Sequence, residues 1–406
     1  MVGTDVPGVA GIDGRRLMSS RRIRASEAAT KIVLFANTDW YLYNFRRTLA
    51  LALKEKGYEL LLISPTGEYG QKLRDLGLRW EPLPMDRRSL NPLREFALMV
   101  HLVRLFRREK PDLVHGFTIK SAVYGSLAAR LAGVAARVNA VAGMGYVFTS
   151  LDIKARVLRP VVSQLLKLAL DGRGAQLILQ NPDDVALFAQ ARLVHPSRVK
   201  LIRGSGVDCR RFTAVSGDRD GQPLRVLLAA RSLWDKGLAE YVDAARSLHA
   251  EGRQIRFLLA GTPDEGNPAA VPEATLREWV NGGVLEWLGH VDDMPALLGS
   301  VDVVVLPSYR EGLPKTLIEA AACALPLITT DVPGCREVVS DGEDGLLIPA
   351  RDAKALADAI RTLHKSPQLA RRLGLAARAK ALTHFDDRIV IERTVEVYRS
   401  ALLQAV

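Results

Sequence analysis

Short runs of leucine, isoleucine and valine alternate with stretches whose apolar residues recur every three or four positions, almost from one end of the chain to the other. KIVLFA (31–36) reads as a first strand. FRRTLALALKEKG (45–57) follows as a helix, with Phe45, Leu49 and Leu53 on one face and Gly57 as its stop. ELLLIS (59–64) is the next strand, and PDLVHG, ARVNAVA and AQLILQ have the same buried-strand character. Asn181 is placed to cap a helix that has Pro182 at its first position. Strands and helices in this alternation predict a parallel sheet covered by helices on both faces.

The pattern restarts near residue 224 with LRVLLAA (224–230), RFLLAG (256–261), VDVVVLP (301–307) and LPLITT (325–330). The fold class expected is therefore α/β, with two Rossmann-like, doubly wound parallel-sheet domains facing a cleft, and a ligand at the carboxyl ends of the strands. RGSGVDCRRF (203–212) reads as the hinge between them. The divisions expected are a flexible extension over 1–30, a first domain over 31–204, a second over 205–384, and a helix over 385–406 that crosses back to the first domain. In that last helix Ile389, Arg393, Val397 and Leu402 fall in rough helical register.

A chain of 406 residues exceeds one comfortable core, which agrees with two domains. Its 48 % hydrophobic and 25 % charged residues describe a globular protein rather than a disordered or fibrous one. Three scattered cysteines, Cys209, Cys323 and Cys335, suit neither a disulfide framework nor a zinc site, so a reduced cytoplasmic protein is expected. The uncharged run 138–151 contains two glycines and is too short to span a bilayer. The first thirty residues hold five arginines but lack the apolar core of a secretory signal.

Charge changes the picture more. The net +11 is uneven: residues 1–203 carry 32 Lys+Arg against 17 Asp+Glu, and the remainder 24 against 28. The basic half has no aromatic RNA-binding signature, zinc finger or helix-turn-helix spacing, so nucleic acid is not the expected partner. An anionic inner-membrane surface or a phosphate-bearing substrate is. The stretch 157–170 is apolar on one face with Arg159 and Lys167 on the other, and could dip into such a surface, although a core-facing helix is the more frequent cause of that pattern.

Candidate chemistry begins after the first strand. NTDWYLYNFRR (37–47) has aromatics where a dinucleotide site needs glycines, which argues against a dehydrogenase. Asn37, Tyr41, Asn44 and Arg46 could meet an acceptor sugar or its phosphate, or Trp40 and Phe45 could pack beneath an ordinary loop. His115 and Lys120 could line the same side, although a buried, satisfied histidine is the more frequent reading of His115. Arg231 and Lys236 follow LRVLLAA, where a cation pair can hold a diphosphate. SYREGLPKTLIEAA (308–321) sets Glu311 and Glu319 eight positions apart. On one continuous helix they would be separated by about 12 Å along the axis. Pro314 suits a first helical turn, however, so Glu311 belongs to the preceding loop, and the helix start offers free N–H groups to an anion. Carboxylates beside phosphates repel them and are better employed accepting hydrogen bonds from sugar hydroxyls.

Residues 225–350 resemble the nucleotide-sugar domain of GT4-type retaining glycosyltransferases, which have the GT-B fold. The stretches that carry the resemblance are ARSLWDKG, LGHVDDMPALLGS, PSYREGLPKTLIEAA and LPLITTDVPGCREVVSDGEDGLLIP, with Glu311 and Glu319 on the family's two-glutamate motif. The resemblance implies that Arg231 and Lys236 hold the donor diphosphate, with Glu311 completing the catalytic set at the transferred hexose. It implies a donor-binding set of Glu319 at the ribose, Gly289 and His290 at the base, and Gly312, Leu313, Pro314, Lys315 and Thr316 around the phosphates. YNFRRTLALALKEKGYELLLIS, PDLVHGFTIKSAVYGSLAARLAG and NAVAGMGYVFTS are similar to bacterial enzymes that extend sugars on a polyprenyl diphosphate. That similarity adds Gly143, Met144 and Gly145 to the acceptor side.

The activity expected is thus retaining transfer of an N-acetylated hexose, GalNAc or GlcNAc, from a UDP-sugar to a lipid-linked sugar, peripheral to the membrane, with no cofactor and no metal. A UDP-sugar epimerase on the same fold, or a transferase with a soluble acceptor, is the alternative. A hydrolase would need its two carboxyl groups roughly 5 Å apart or somewhat more, and would have no use for Arg231 and Lys236.

Overall fold

A computed structural model of the chain describes residues 30–86, 89, 91–141, 153–214, 221–264 and 266–405, except for the side chains of 153–159 and 161. Two parallel sheets organise it. The first contains Lys31–Phe35 (β1), Glu59–Ser64 (β2), Trp80–Pro82 (β3), Leu113–Phe117 (β4), Ala136–Val141 (β5), Ala175–Leu179 (β6) and Val199–Leu201 (β7). Its order is β3-β2-β1-β4-β5-β6-β7. The second contains Leu224–Ala229 (β8), Ile255–Ala260 (β9), Glu286–Gly289 (β10), Val303–Leu306 (β11), Leu327–Thr330 (β12) and Leu346–Ile348 (β13). Its order, β10-β9-β8-β11-β12-β13, repeats the same winding. Strand order reverses beside β1 and again beside β8, so each sheet has a crevice at its switch point, beyond the carboxyl ends of β1 and β4 or of β8 and β11.

The strands read as unbroken apolar runs because both faces are covered. In β1, Ile32 and Leu34 pack with Leu49 and Leu53 of the Arg47–Glu55 helix, while Val33 and Phe35 pack with Leu98, Leu102 and Phe106 of the Pro92–Glu109 helix. In the second sheet, Val226 and Leu228 face Tyr241 and Leu248 of the Leu238–Ala250 helix, and Leu227 faces Leu317 and Ala320 of the Lys315–Ala322 helix.

The last helix, Asp387–Ala405, sits on the first sheet, with Val390, Ile391, Val395, Tyr398 and Ala401 in the same core as Ile32 and Leu34. The chain therefore passes twice between the sheets, and the two passages are joined to each other. Val207 N–H donates to the Phe385 carbonyl at 2.9 Å, and Asp387 N–H donates to the Val207 carbonyl at 3.0 Å. Among the described residues no helix is long and apolar enough to cross a membrane.

Candidate functional site

The switch point of the second sheet gathers the charged groups singled out in the sequence. β8 ends at Ala229, and Arg231 and the Trp234–Lys236 turn follow it directly. β11 ends at Leu306, and the loop 307–314 follows it, leading into the Lys315–Ala322 helix. The two segments touch: a Cβ on Gly237 would run into the Pro307 carbonyl oxygen, so this position, at φ +75°, has room only for glycine.

Glu311 lies in the loop and Glu319 within the helix, with Pro314 at the N-cap position between them. One Glu311 oxygen accepts from Lys236 Nζ at 2.6 Å and from Ser308 Oγ at 2.7 Å. Both Lys236 and Glu311 side chains are 14 % exposed, which strengthens their attraction relative to a surface pair. Arg231 is directed to Asp264 at 2.7 Å and is more than half exposed. Glu319 is buried on the inner side of its helix and pairs with Lys315 at 3.1 Å. The N-terminus of that helix has no side-chain cap, so its first N–H groups are available to an anion.

The remaining donor-side positions surround this centre unevenly. Gly289, at φ +65°, ends β10 and has open space where a side chain would stand. His290, next to it, is exposed and lies 3.3 Å from Asp292. Leu313 packs over Gly204, and Thr316 is half-buried at the helix start. The Gly312 carbonyl is taken by Asn181 Nδ2, from the first sheet's side, at 2.8 Å.

That last contact belongs to a set invisible in the sequence. Asn181 caps the Pro182–Gln190 helix by accepting from Asp184 N–H at 2.7 Å. Its amide also donates to Asp184 Oδ2 at 3.0 Å. Asp184 is fully buried, and its other oxygen accepts from Arg310 Nη2 at 2.8 Å. The residues on either side of Glu311 are thus gripped from across the cleft. Lys315 Nζ crosses as well, donating to the Asn44 carbonyl at 2.9 Å and lying 5.3 Å from the Phe45 ring centre. The cap at Asn181 was legible as a cap; its second use required the opposing domain.

On the acceptor side several expectations need correction. His115 follows the buried alternative and does not line the cleft. It is 1 % exposed, its Nδ1 is 2.6 Å from the Tyr398 hydroxyl, and its ring lies tilted against that of Phe117, with centres 4.0 Å apart. Burial, with Arg46 nearby, holds its pKa well below the ordinary value, so the imidazole is neutral. Arg46 is likewise buried rather than cleft-lining; it lies over the Phe117 ring and donates to the Tyr41 hydroxyl at 3.0 Å. Lys120 is a strut: it bonds the Asp86 and Ser89 carbonyls and pairs with Glu95 at 2.8 Å, with little exposure. Asn37 and Tyr41 are half-exposed just beyond β1, at the first sheet's own switch point. Gly143, Met144 and Gly145 lie outside the described residues. Among the described residues no three His, Cys, Asp or Glu side chains come together as a metal site.

Comparison with known proteins agrees with both halves. Residues 31–181 match the family model described as glycosyl transferase 4-like, and residues 224–366 match that of glycosyl transferases group 1. The chain is 31 % identical over 369 residues to the Campylobacter jejuni N,N'-diacetylbacillosaminyl-diphospho-undecaprenol alpha-1,3-N-acetylgalactosaminyltransferase, covering 88 % of this chain and 95 % of that protein. It is 26 % identical to the Escherichia coli UDP-Gal:alpha-D-GlcNAc-diphosphoundecaprenol alpha-1,3-galactosyltransferase, over 67 % of this chain and 71 % of that one. Among solved structures, Anabaena HepE in complex with UDP-glucose superposes with a TM-score of 0.75 at 19 % identity, covering 91 % of this chain and 99 % of that one. The chain belongs to the GT4-like, group 1 glycosyltransferases and has their two-domain GT-B fold.

Proposed function

We propose that this protein moves an N-acetylated hexose, GalNAc or GlcNAc, from a UDP-sugar to a sugar carried on a polyprenyl diphosphate, with retention at the anomeric carbon and without a divalent metal. The observation that carries the acceptor and sugar is the near full-length likeness to the Campylobacter N-acetylgalactosaminyltransferase, whose named acceptor is undecaprenol-linked. The Escherichia coli relative is named for a diphosphoundecaprenol acceptor as well.

The site geometry supports a donor-side division of labour. A departing nucleoside diphosphate gains charge, and preorganised cations stabilise it. Arg231 and Lys236 follow the end of β8, and the uncapped start of the Lys315–Ala322 helix follows the loop after the adjacent β11, all at the second sheet's switch point. A diphosphate there draws Lys236 away from Glu311, whose carboxylate then accepts hydrogen bonds from the hexose hydroxyls. Glu319, one turn further along and buried, is placed for the ribose. The acceptor hydroxyl attacks from the face of the leaving phosphate, and a phosphate oxygen takes its proton, so neither glutamate has to act as an acid.

The test is a panel of UDP- and GDP-sugars offered with a short-chain polyprenyl diphosphate sugar, products being read by mass. One added N-acetylhexose from a UDP donor, undiminished by EDTA, is expected. Turnover of the UDP-sugar without any acceptor would establish an epimerase instead, and strict Mg²⁺ dependence of the chemical step would remove the protein cations from the role assigned to them.

A further inference from the structure

The two sheets are wound alike, and the likeness extends to how the helices at their switch points begin. β1 and β4 hold the places in the first sheet that β8 and β11 hold in the second. The Ile119–Ala132 helix follows β4 as the Lys315–Ala322 helix follows β11, and neither start receives a side-chain cap. The first N–H groups of Ile119–Ala132, with their partial positive charge, therefore stand at the first sheet's switch point. This edge faces the donor side: the Asn44 carbonyl, in the segment after β1, is bonded by Lys315 Nζ at 2.9 Å.

An open helix start is common, but the hydroxyls beside this one are a second and independent sign of a ligand. Ser121, in the first turn, is 0 % exposed, and its Oγ has no hydrogen-bond partner among the described residues. Side chains on a helix lean towards its N-terminus, so that hydroxyl is directed to the open end. Thr118 holds the N-cap position, where threonine ordinarily bonds the first turn, yet its Oγ1 is also buried and without a partner. A buried hydroxyl with no partner is costly, and two within four residues are accounted for by a ligand rich in acceptor oxygens. Thr118 also stands at φ +71° and ψ 159°, a conformation that a β-branched residue holds only at a cost.

Electrostatics select the kind of ligand. Arg46 is 4 % exposed and lies over Phe117, the residue before Thr118. It meets the Tyr41 hydroxyl and two aromatic faces but no carboxylate among the described residues, and its Nε has no partner. A buried charge of this kind is offset by an anion nearby. Lys120, the cation of the first turn, is occupied by Glu95 and two carbonyls, so that carboxylate brings no uncompensated negative charge.

We propose that Thr118, Ser121 and the start of the Ile119–Ala132 helix bind a phosphate of an organic diphosphate, that of the acceptor. The matching helix start in the second sheet is the one assigned to the donor's diphosphate. Arg46 acts through its field and does not touch the ligand. The identity of the diphosphate rests on the lipid-linked acceptor reading, whereas the binding of one does not.

Calorimetry on the full chain saturated with UDP and titrated with geranyl diphosphate tests the site. UDP fills the donor side, so the binding expected reports a second diphosphate position. Thr118→Val with Ser121→Ala should weaken it by about tenfold or more per hydroxyl, with UDP affinity kept. Thr118→Ser should retain it. Thr118→Gly should weaken it without lowering the melting temperature, since glycine accepts the φ that threonine resists. In kinetics, the preference for a short-chain polyprenyl diphosphate sugar over the same sugar on a plain alkyl chain should fall about tenfold in Thr118→Val. Wild type that binds no geranyl diphosphate when saturated with UDP overturns the proposal, as does a double variant that binds it as tightly as wild type. Displacement of UDP by geranyl diphosphate overturns it too, because both would then share one site. Should no lipid-linked acceptor be used, that reading fails while the titration still decides the diphosphate site.

Discussion

The grip of Asp184 on Arg310 lends itself to a quantitative test. Substituting Asp184 by alanine removes the carboxylate that receives Arg310 at 2.8 Å, but leaves the backbone N–H that Asn181 caps, so the Pro182–Gln190 helix keeps its start. A hydrogen bond to a charged group contributes about 1.5–3 kcal/mol. The Arg310 side chain is 36 % exposed, so water recovers part of this, and about 1–2 kcal/mol is a fair expectation. That equals roughly a 5- to 30-fold effect on any step that requires the loop around Glu311 to be held from across the cleft. Because Glu311 is assigned to the hexose and not to the nucleotide, the loss should appear in kcat, with the affinity for free UDP, measured by calorimetry, nearly unchanged. Arg310→Ala should give a similar loss, and the double variant should cost little more than either single one. An unchanged kcat with a lowered melting temperature would refute the reasoning, reducing the pair to a structural link. A loss confined to UDP affinity would refute it equally.

Three further outcomes follow from the same geometry. Glu319→Ala should mainly weaken donor binding, by about 10- to 100-fold if one charged hydrogen bond to the ribose is lost, whereas Glu311→Ala should mainly slow transfer; steady-state kinetics with varied donor separates the two. Burial pushes the thiols of Cys209 and Cys335 up to about 12 and that of Cys323 to about 11, so native protein at pH 8 should resist alkylation until denaturant is added, as mass spectrometry would show. Hydrogen bonds from Arg79, followed by Lys31 and Arg108, hold the buried Glu109 down at about 2 against an ordinary value near 4.5. A lowered carboxyl pKa contributes stability above the unfolded value and loses it as pH falls towards the folded one, so acid unfolding should steepen between about pH 4.5 and 2, and Glu109→Gln should flatten that limb in a denaturation series.

Alternating apolar runs and amphipathic stretches were sufficient to read two doubly wound sheets, because a strand buried on both faces has no polar phase to confuse with a helix. Pro314 likewise separated the two glutamates into loop and helix from sequence alone, since a proline's fixed φ and missing N–H leave it few positions. The first half was less legible. The residues after β1 and the histidine of PDLVHG left a binding surface and ordinary packing both open, and Arg46 and His115 prove to be enclosed by Phe117, Tyr41 and Tyr398. Tyr398 comes from the terminal helix, 283 residues further along the chain than His115. No local spacing encodes that meeting.

What the sequence determined by itself was everything governed by period and by short-range backbone chemistry: the α/β alternation, the restart near residue 224, the caps, and the loop-then-helix setting of Glu311 and Glu319. What only the tertiary structure decided was which groups meet across the chain. Asn181 and Asp184 reach Gly312 and Arg310 because two sheets are closed upon each other, with distances of 2.8 Å between residues more than a hundred positions apart. The stretch 157–170 is the converse case: its leucines look alike in sequence, and only the packing of their neighbours makes Leu166 and Leu170 core and leaves Leu165 and Leu168 facing out. Hydrophobic pattern specifies that a face will be buried, but which face finds a partner depends on surfaces that the folded chain assembles.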